Sequence, residues 1–330
     1  DRDMGKQFCL KKGLIHENIE VMRSCEITDV TGTPGSLEVT VNQKATGIDP
    51  ELCIHCGKCV DVCPVVVTDP FNDHLAERKA VYFPVPFQIP NNRTIDPDAC
   101  TRCGECEKVC ETGAIDLTFA DRQLQFKDVQ SVLLSYGNKI YDPAQSDLYG
   151  FGKLKDVVTS TGFERLISQS GPTAGKALRP SDSKPIEKIA WLQCVGSRNI
   201  MTNSDYCSSA CCMYSLKEAM LAKDKIDQDL DETIFYMDMR TFGREYQWYR
   251  DKAEDEYGIK FVRCRVHSVE QDPENGDSRL TWLDESGSQT SACFDLIVLA
   301  TGKQPTPSLP DFARTKGVHL INTDNEFKDI

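Results

Sequence analysis

Two cysteine runs constrain this chain more than anything else in it: Cys53-Ile-His-Cys56-Gly-Lys-Cys59-Val-Asp-Val-Cys63-Pro64 and Cys100-Thr-Arg-Cys103-Gly-Glu-Cys106-Glu-Lys-Val-Cys110. Each reads C-x2-C-x2-C-x3-C, the spacing that holds [4Fe–4S] clusters in two-cluster ferredoxins. Two-residue gaps let three sulfurs of a tight loop face inward, while the fourth cysteine serves the other cluster. The spacing therefore assigns Cys53, Cys56, Cys59 and Cys110 to one cluster, and Cys100, Cys103, Cys106 and Cys63 to a second. Gly57 and Gly104 stand where the loop turns and a positive φ is needed. Pro64 closes the first run; Glu111 takes the matching place in the second. Structural zinc, with four ligands usually in spaced pairs, and a disulfide scaffold are the competing readings. Two identical quartets suit iron and sulfur better, and thiolate-held clusters need a reducing compartment. Two clusters in one chain imply electron transfer.

The chain has 330 residues, 16 cysteines and a net charge of −13, enough length for two or three domains. No apolar run approaches the roughly 20 residues of a membrane span, and the acidic balance argues against nucleic acid, whose phosphates need a positive surface. The first residue is Asp1 and no secretory signal follows it; the expectation is a piece of something longer.

Strands are expected at residues 18–22 and 37–41, around a Gly-Thr-Pro-Gly turn. The ferredoxin unit is placed at 47–120, with a long insertion between its runs that is expected to wrap it against a neighbour. A closing strand follows at 114–119 and a buried strand at 132–137. A helix is expected at 163–168, and a Gly-, Pro- and Ser-rich loop at 171–185. Then strands (188–193, 233–238, 259–266, 280–283, 294–300) alternate with helices (212–226, 244–257). That order predicts an α/β, doubly wound parallel sheet. The resulting division is 1–46, 47–120, 121–186, 187–302 and 303–330.

A dinucleotide fold places G-x-G-x-x-G after its first strand, so that phosphates meet a helix N-terminus. Here strand 188–193 runs into Cys194-Val-Gly196, and the next helix is preceded by Cys207-Ser-Ser-Ala-Cys211-Cys212. The glycine fingerprint is replaced by four cysteines. A helix N-terminus favours negative charge, so a third cluster held by Cys194, Cys207, Cys211 and Cys212 is one reading. Buried free thiols, or a redox-active pair involving Cys211 or Cys212, are the others.

At these residues the chain resembles the A subunit of heterodisulfide reductase and related subunits of quinone-interacting oxidoreductases. The likeness rests on Ser170-Gly-Pro-Thr-Ala-Gly, Arg179-Pro-Ser-Asp, Gln193-Cys-Val-Gly-Ser-Arg198, Tyr206-Cys-Ser-Ser-Ala-Cys-Cys-Met-Tyr-Ser-Leu-Lys-Glu-Ala219, Arg78-Lys-Ala-Val-Tyr82 and Leu148-Tyr-Gly-Phe-Gly152. The resemblance implies a thioredoxin-reductase-like flavoprotein with an inserted two-cluster ferredoxin domain. It also implies FAD near the third cluster, a cytoplasmic multisubunit complex with other redox subunits as partners, and flavin-based electron bifurcation in some members. Peripheral association with a membrane complex would fit the quinone-linked relatives. Two departures stand out. The family's flavin-binding segments would precede Asp1 and follow Ile330, and its first Ala-Thr-Gly is Ser135-Tyr136-Gly137 here, although Ala300-Thr301-Gly302 keeps the second.

On this reading Thr301 and Gly302 approach the flavin backbone. Lys217, about one turn after Cys212, places a cation near flavin or cluster, with Glu164 as its charge partner; each also has a plain structural reading, as a strand-to-loop turn and as solvated helix residues. His55, inside a cluster loop, lies behind the ligands or at the surface and is not itself a ligand. Cys9, Cys25, Cys264 and Cys293 are plain thiols, and Tyr246, Trp248 and Tyr249 are core. The first reading is an electron-transferring flavoprotein of a redox complex. The alternatives are a flavin-free ferredoxin relay and scaffold, and a pyridine-nucleotide oxidoreductase of the type found in the small subunit of glutamate synthase. The missing G-x-G-x-x-G after Gln193 argues against the last.

Overall fold

In a computed structural model, residues 16–85, 93–200, 204–243, 245–274, 276–306, 312, 320–323 and 326–329 are described. The chain divides into two compact units, Asp1–Ser135 and Tyr136–Ile330.

The first unit opens with a hairpin. Strands β1 (Cys25–Thr33) and β2 (Ser36–Gln43) pair antiparallel, and β7 (Arg122–Val129) adds to β2. Between β2 and β7 lie helix α1 (Lys58–Val62), strands β3 (Val66–Thr68), β4 (Glu77–Lys79), β5 (Val81–Tyr82) and β6 (Thr94–Ile95), and helix α2 (Glu105–Val109). The cysteine runs are the most visible part of a longer repeat, because Ile48-Asp49-Pro50 and Ile95-Asp96-Pro97 precede them at matching offsets. The backbone follows suit: the Cys53 amide donates to the Asp49 carbonyl at 3.1 Å and the Cys100 amide to that of Asp96 at 2.9 Å. Gly57 and Gly104, at φ 87° and 77°, cap α1 and α2 in the left-handed region where a side chain is strained. The core is small: Ile48, Ala80, Val81, Ile95 and Ala114, joined by Cys63 and Cys106. Cys53, Cys59, Cys100 and Cys110 pack against it, so the thiols are themselves core.

The second unit carries a five-stranded, wholly parallel sheet. Its order is β12 (Lys260–Arg263), β11 (Asp231–Tyr236), β10 (Lys188–Val195), β16 (Leu296–Thr301), β9 (Val157–Thr159). Helices α3 (Ser160–Leu166), α4 (Cys211–Lys225) and α5 (Tyr246–Asp255) fill the crossovers. Every residue of β16 is buried, as a parallel strand covered on both faces requires. An antiparallel sheet, β13 (Val266–Gln271), β14 (Ser278–Leu283) and β15 (Gln289–Phe294), supplies Leu280, Trp282 and Phe294 to one core face. A two-stranded pair joins β8 (Asn138–Ile140) to β17 (Lys303–Pro305). Arg179, in a motif that carries the resemblance, ties the amino end of the sheet together. Its guanidinium donates to Asp156 (3.3 Å), Asp277 (2.9 Å) and Asp295 (3.1 Å). Burial lowers its pKa, but Asp277 and Asp156 outweigh it and raise it overall.

The doubly wound sheet expected from the sequence is therefore the fold of the second unit, with local differences. No strand forms at 18–22; β1 begins at Cys25, because a hairpin strand must abut its turn, and Thr33 pairs directly with Ser36. No strand forms at 132–137 either, where the backbone is irregular. The strand expected at 114–119 shrinks to one bridge between Ile48 and Ile115. The strand expected at 259–266 is two, since the chain leaves the parallel sheet after Arg263 and re-enters the antiparallel one at Val266. Tyr246, Trp248 and Tyr249 are exposed, not core: only Ala253 of α5 is buried. The insertion folds within its own unit as two short antiparallel pairs, β3–β4 and β5–β6; residues 86–92 lie outside the described residues, as does Cys9.

Candidate functional site

Each run of the first unit bends around a cavity. One, open to solvent and with about 430 Å³ of empty space including that solvent, is lined by Cys53, Cys56, Cys59 and Cys110. The other, likewise open and with about 290 Å³, is lined by Cys63, Cys100, Cys103 and Cys106. Each cavity thus takes three thiols from one run and the fourth from the other, the sets that spacing assigned. Among the described residues no three His, Cys, Asp or Glu side chains close on one point as a lone ion requires. The thiols line the two cavity walls instead. No disulfide joins any described cysteine. Burial pushes the Cys106 thiol up to about 11; a buried thiol stays protonated unless a cation draws the proton off.

The third set is assembled by the fold. Successive connections leave β10 toward β11 and β12 on one side, and β16 and β9 lie on the other. The switch point is therefore between β10 and β16, where such sheets bind ligands beyond their carboxyl ends. Cys194 lies at the carboxyl end of β10, and Cys211 and Cys212 begin α4. The loop between them is stitched to the end of β16. Ser197 and Ser208 share a hydrogen bond at 2.5 Å, the Lys303 amide donates to Ser208 Oγ at 2.8 Å, and the Tyr206 hydroxyl donates to the Lys303 carbonyl at 3.0 Å. A Cβ on Gly196 would fall 2.0 Å from the Tyr141 ring, so only glycine permits this crossing. The four thiols come close enough to act on one another. Burial first, then Cys211, Cys212 and Cys207, push the Cys194 thiol up to about 12, with Arg198 opposing. Burial likewise pushes Cys211 up to about 11, against a hydrogen bond with Tyr214. The Arg240 amide donates to Cys212 Sγ at 3.4 Å and the Ser209 amide to Cys207 Sγ at 3.4 Å. Four thiols, two of them buried, with amide donors aimed at sulfur, are a donor set that fits an anionic iron–sulfur group.

Thr301 and Gly302 sit at this same point, but their close contacts are with the chain itself. A Cβ on Gly302 would lie 2.4 Å from Ser197 Oγ, and the Thr301 carbonyl accepts from the Tyr214 hydroxyl at 2.6 Å. Lys217 and Glu164 do pair, at 3.1 Å, on the exposed side of α4. Below Lys217, Glu218 is fully buried and its carboxyl is held well above the usual range by that burial; the Trp191 indole donates to it at 3.2 Å. His55 is exposed. Cys25 donates to the Arg23 carbonyl and Cys293 to Asp272, while Cys264 shares a separate cavity with Cys194. Sequence reasoning missed Arg93, which lines the first cavity, and Ser208, whose partner Lys303 lies 95 residues away in sequence.

Residues 52–114 match the family described as a 4Fe-4S dicluster domain. Over 92% of its length the chain is 37% identical to the A subunit of the H(2):CoB-CoM heterodisulfide,ferredoxin reductase of Methanothermobacter marburgensis, covering 46% of that protein. It is 40% identical over 89% of its length to a CoB--CoM heterodisulfide reductase iron-sulfur subunit of Methanopyrus kandleri, covering 44% of it. The chain is a relative of the heterodisulfide reductase A subunit. It spans about half the length of these relatives. Among solved structures, it overlays on T. acidophilum thioredoxin reductase with a TM-score of 0.34 and 12% identity, covering 56% of this chain and 47% of that one. No described helix is long and apolar enough to cross a membrane.

Proposed function

We propose that this chain is the iron–sulfur part of an oxidoreductase subunit of the heterodisulfide reductase type, working in a cytoplasmic complex with other redox subunits. Two ferredoxin-type [4Fe–4S] clusters would be held by Cys53, Cys56, Cys59 and Cys110 and by Cys100, Cys103, Cys106 and Cys63, and a third by Cys194, Cys207, Cys211 and Cys212. The observation that carries the proposal is the crossed lining of the two cavities.

Bound there, the clusters would supply one-electron steps, and FAD in the complete protein would exchange them with two-electron chemistry. The chain's own residues have separate tasks. Burial of Cys63, Cys106, Cys211 and Cys212 keeps water from the sulfurs. Amides of Arg102, Ser209 and Arg240 aimed at Cys100, Cys207 and Cys212 favour the more negative state of whatever the sulfurs hold. Cys56 and Cys103 are exposed, which leaves each ferredoxin-type site one open side for a partner. Lys217 and Glu164 are the exposed charges this chain would turn toward a flavin, whereas Thr301 and Gly302 serve the packing of the third set. The M. marburgensis relative's name couples a heterodisulfide and a ferredoxin; on that likeness the proposal extends to bifurcation in the complete protein.

The test is anaerobic reduction with dithionite, followed by low-temperature EPR. Signals of reduced [4Fe–4S] clusters that vanish on reoxidation are expected; a chain that accepts no electrons contradicts the proposal. Flavin released by acid from the full-length protein separates this reading from a flavin-free relay.

A further inference from the structure

The two cavities of the first unit differ in one respect that their ligands do not share. Arg93, just before β6, is part of the wall around Cys53, Cys56, Cys59 and Cys110. Its Nη1 donates to the His55 carbonyl at 3.3 Å, inside the cysteine loop. Its Nη2 lies against Gly57, where a Cβ would stand 3.4 Å away. The guanidinium sits 4.4 Å from the centroid of the Phe83 ring, which fixes its plane, and its Nε is buried without an acceptor among the described residues. No described carboxylate pairs with it. The other charges of this wall, Lys58 and Glu111, neutralise each other. The wall around Cys63, Cys100, Cys103 and Cys106 carries no charged side chain; it consists of Pro64, Val65, Ala80, Val81, Thr101, Gly104 and Leu117 besides the thiols. The nearest cations on that side lie outside the wall: Lys79 donates to the Cys63 carbonyl at 2.8 Å, the exposed Arg102 guanidinium sits 5.5 Å from the centroid of the Phe119 ring, and Lys108 pairs with Glu105 at 2.6 Å.

We propose that Arg93 is a positioning residue that sets the two ferredoxin-type sites apart in reduction potential, raising that of the Cys53, Cys56, Cys59 and Cys110 site. A fixed, half-buried positive charge favours whichever state of its neighbour is more negative, and reduction adds one negative charge. The desolvated side of the guanidinium strengthens the effect over that of an exposed cation. Electrons distributed between the two sites then favour the one beside Arg93, so the insertion that carries Arg93 gives the pair a direction.

This inference rests on the proposed cluster assignment, and an EPR-monitored redox titration of the anaerobically purified, cluster-loaded chain separates the two. Arg93→Gln is expected to lower one ferredoxin-type midpoint by about tenfold in its reduction equilibrium, which is about 59 mV for one electron, and to leave the other unmoved. Arg93→Lys is expected to keep most of the unmutated value. Glu111→Gln, which frees Lys58 on the same wall, is expected to raise the same midpoint, and it supplies the test if Arg93→Gln cannot hold iron. The inference is overturned if both midpoints stay put, if both move together, if Lys falls as far as Gln, or if Glu111→Gln produces no rise. An unmutated chain without cluster signals overturns the underlying assignment, and this inference with it.

Discussion

The two units position their cysteine sets by opposite means. In the first, the sulfurs are the core. Among the described residues, Ile95 is its single representative among the largest fully buried side chains, and Cys63 and Cys106 stand beside Ile48 and Val81. In the second, Trp191, Phe163, Leu192, Leu216, Ile234 and Leu299 are all buried in an apolar core that needs no cysteine, and the four thiols are placed at the rim where the sheet reverses. A site written as a spacing can carry its own fold only if its cofactor replaces the missing hydrophobic volume. A site written as a fold can scatter its ligands over a strand end, a loop and a helix start.

The sharpest way to break this contrast is to remove the metal. Anaerobic chelation of iron is expected to abolish the protease resistance of residues 16–135 while the second unit keeps a cooperative thermal transition; parallel loss of both would refute the distinction. Next in size are cysteine substitutions. Cys211→Ala with Cys212→Ala, and separately Cys59→Ser, should each remove about a third of the iron if three cubanes are held. The first should leave the melting of the second unit nearly unchanged, whereas the second should loosen the first unit; unchanged iron in the double variant would end the third-cluster assignment.

Smaller effects probe the apolar unit alone. Arg179→Met removes the guanidinium shared by Asp156, Asp277 and Asp295 at the amino end of the sheet, and removal of one partner from such a network costs about 4 kcal/mol. Denaturant titration of the second unit's transition would read it, and a loss near zero would mean solvent already satisfies those carboxylates. Glu232 gives an effect that depends on pH. Its two oxygens are buried without partners, and burial pushes its pKa from 4.5 up to about 9. Between those values the folded chain keeps a proton that the unfolded chain has released. Stability therefore falls as pH rises through that window, by about 1.4 kcal/mol per pH unit crossed. Glu232→Gln should flatten that slope in thermal melts, and an unaltered slope would place the titrating group elsewhere.

The same contrast explains what the sequence disclosed. The two quartets were legible because each needs only a spacing within one loop and a known exchange of fourth ligands. The alternation of strands and helices disclosed the parallel sheet, since an apolar run such as 294–300 is buried only where both faces are covered; one of the two covering layers here is the antiparallel sheet. The third set was half legible. The absent glycine fingerprint marked the place, but Ser197, Ser208 and Lys303 meet only once β10 and β16 are neighbours. Arg93 left no local mark, for its contact with His55 spans 38 residues. The helix with Tyr246, Trp248 and Tyr249 misled for a related reason: periodicity identifies a helix but does not say which face finds a partner.

The most direct measurement is the iron and acid-labile sulfide content of the anaerobically purified chain, taken together with its EPR in the reduced state. Twelve thiolates holding three cubanes predict about twelve irons and about twelve sulfides per polypeptide. About eight of each would confine the clusters to the first unit. Protein that is folded, colourless and free of labile sulfide would contradict the account outright.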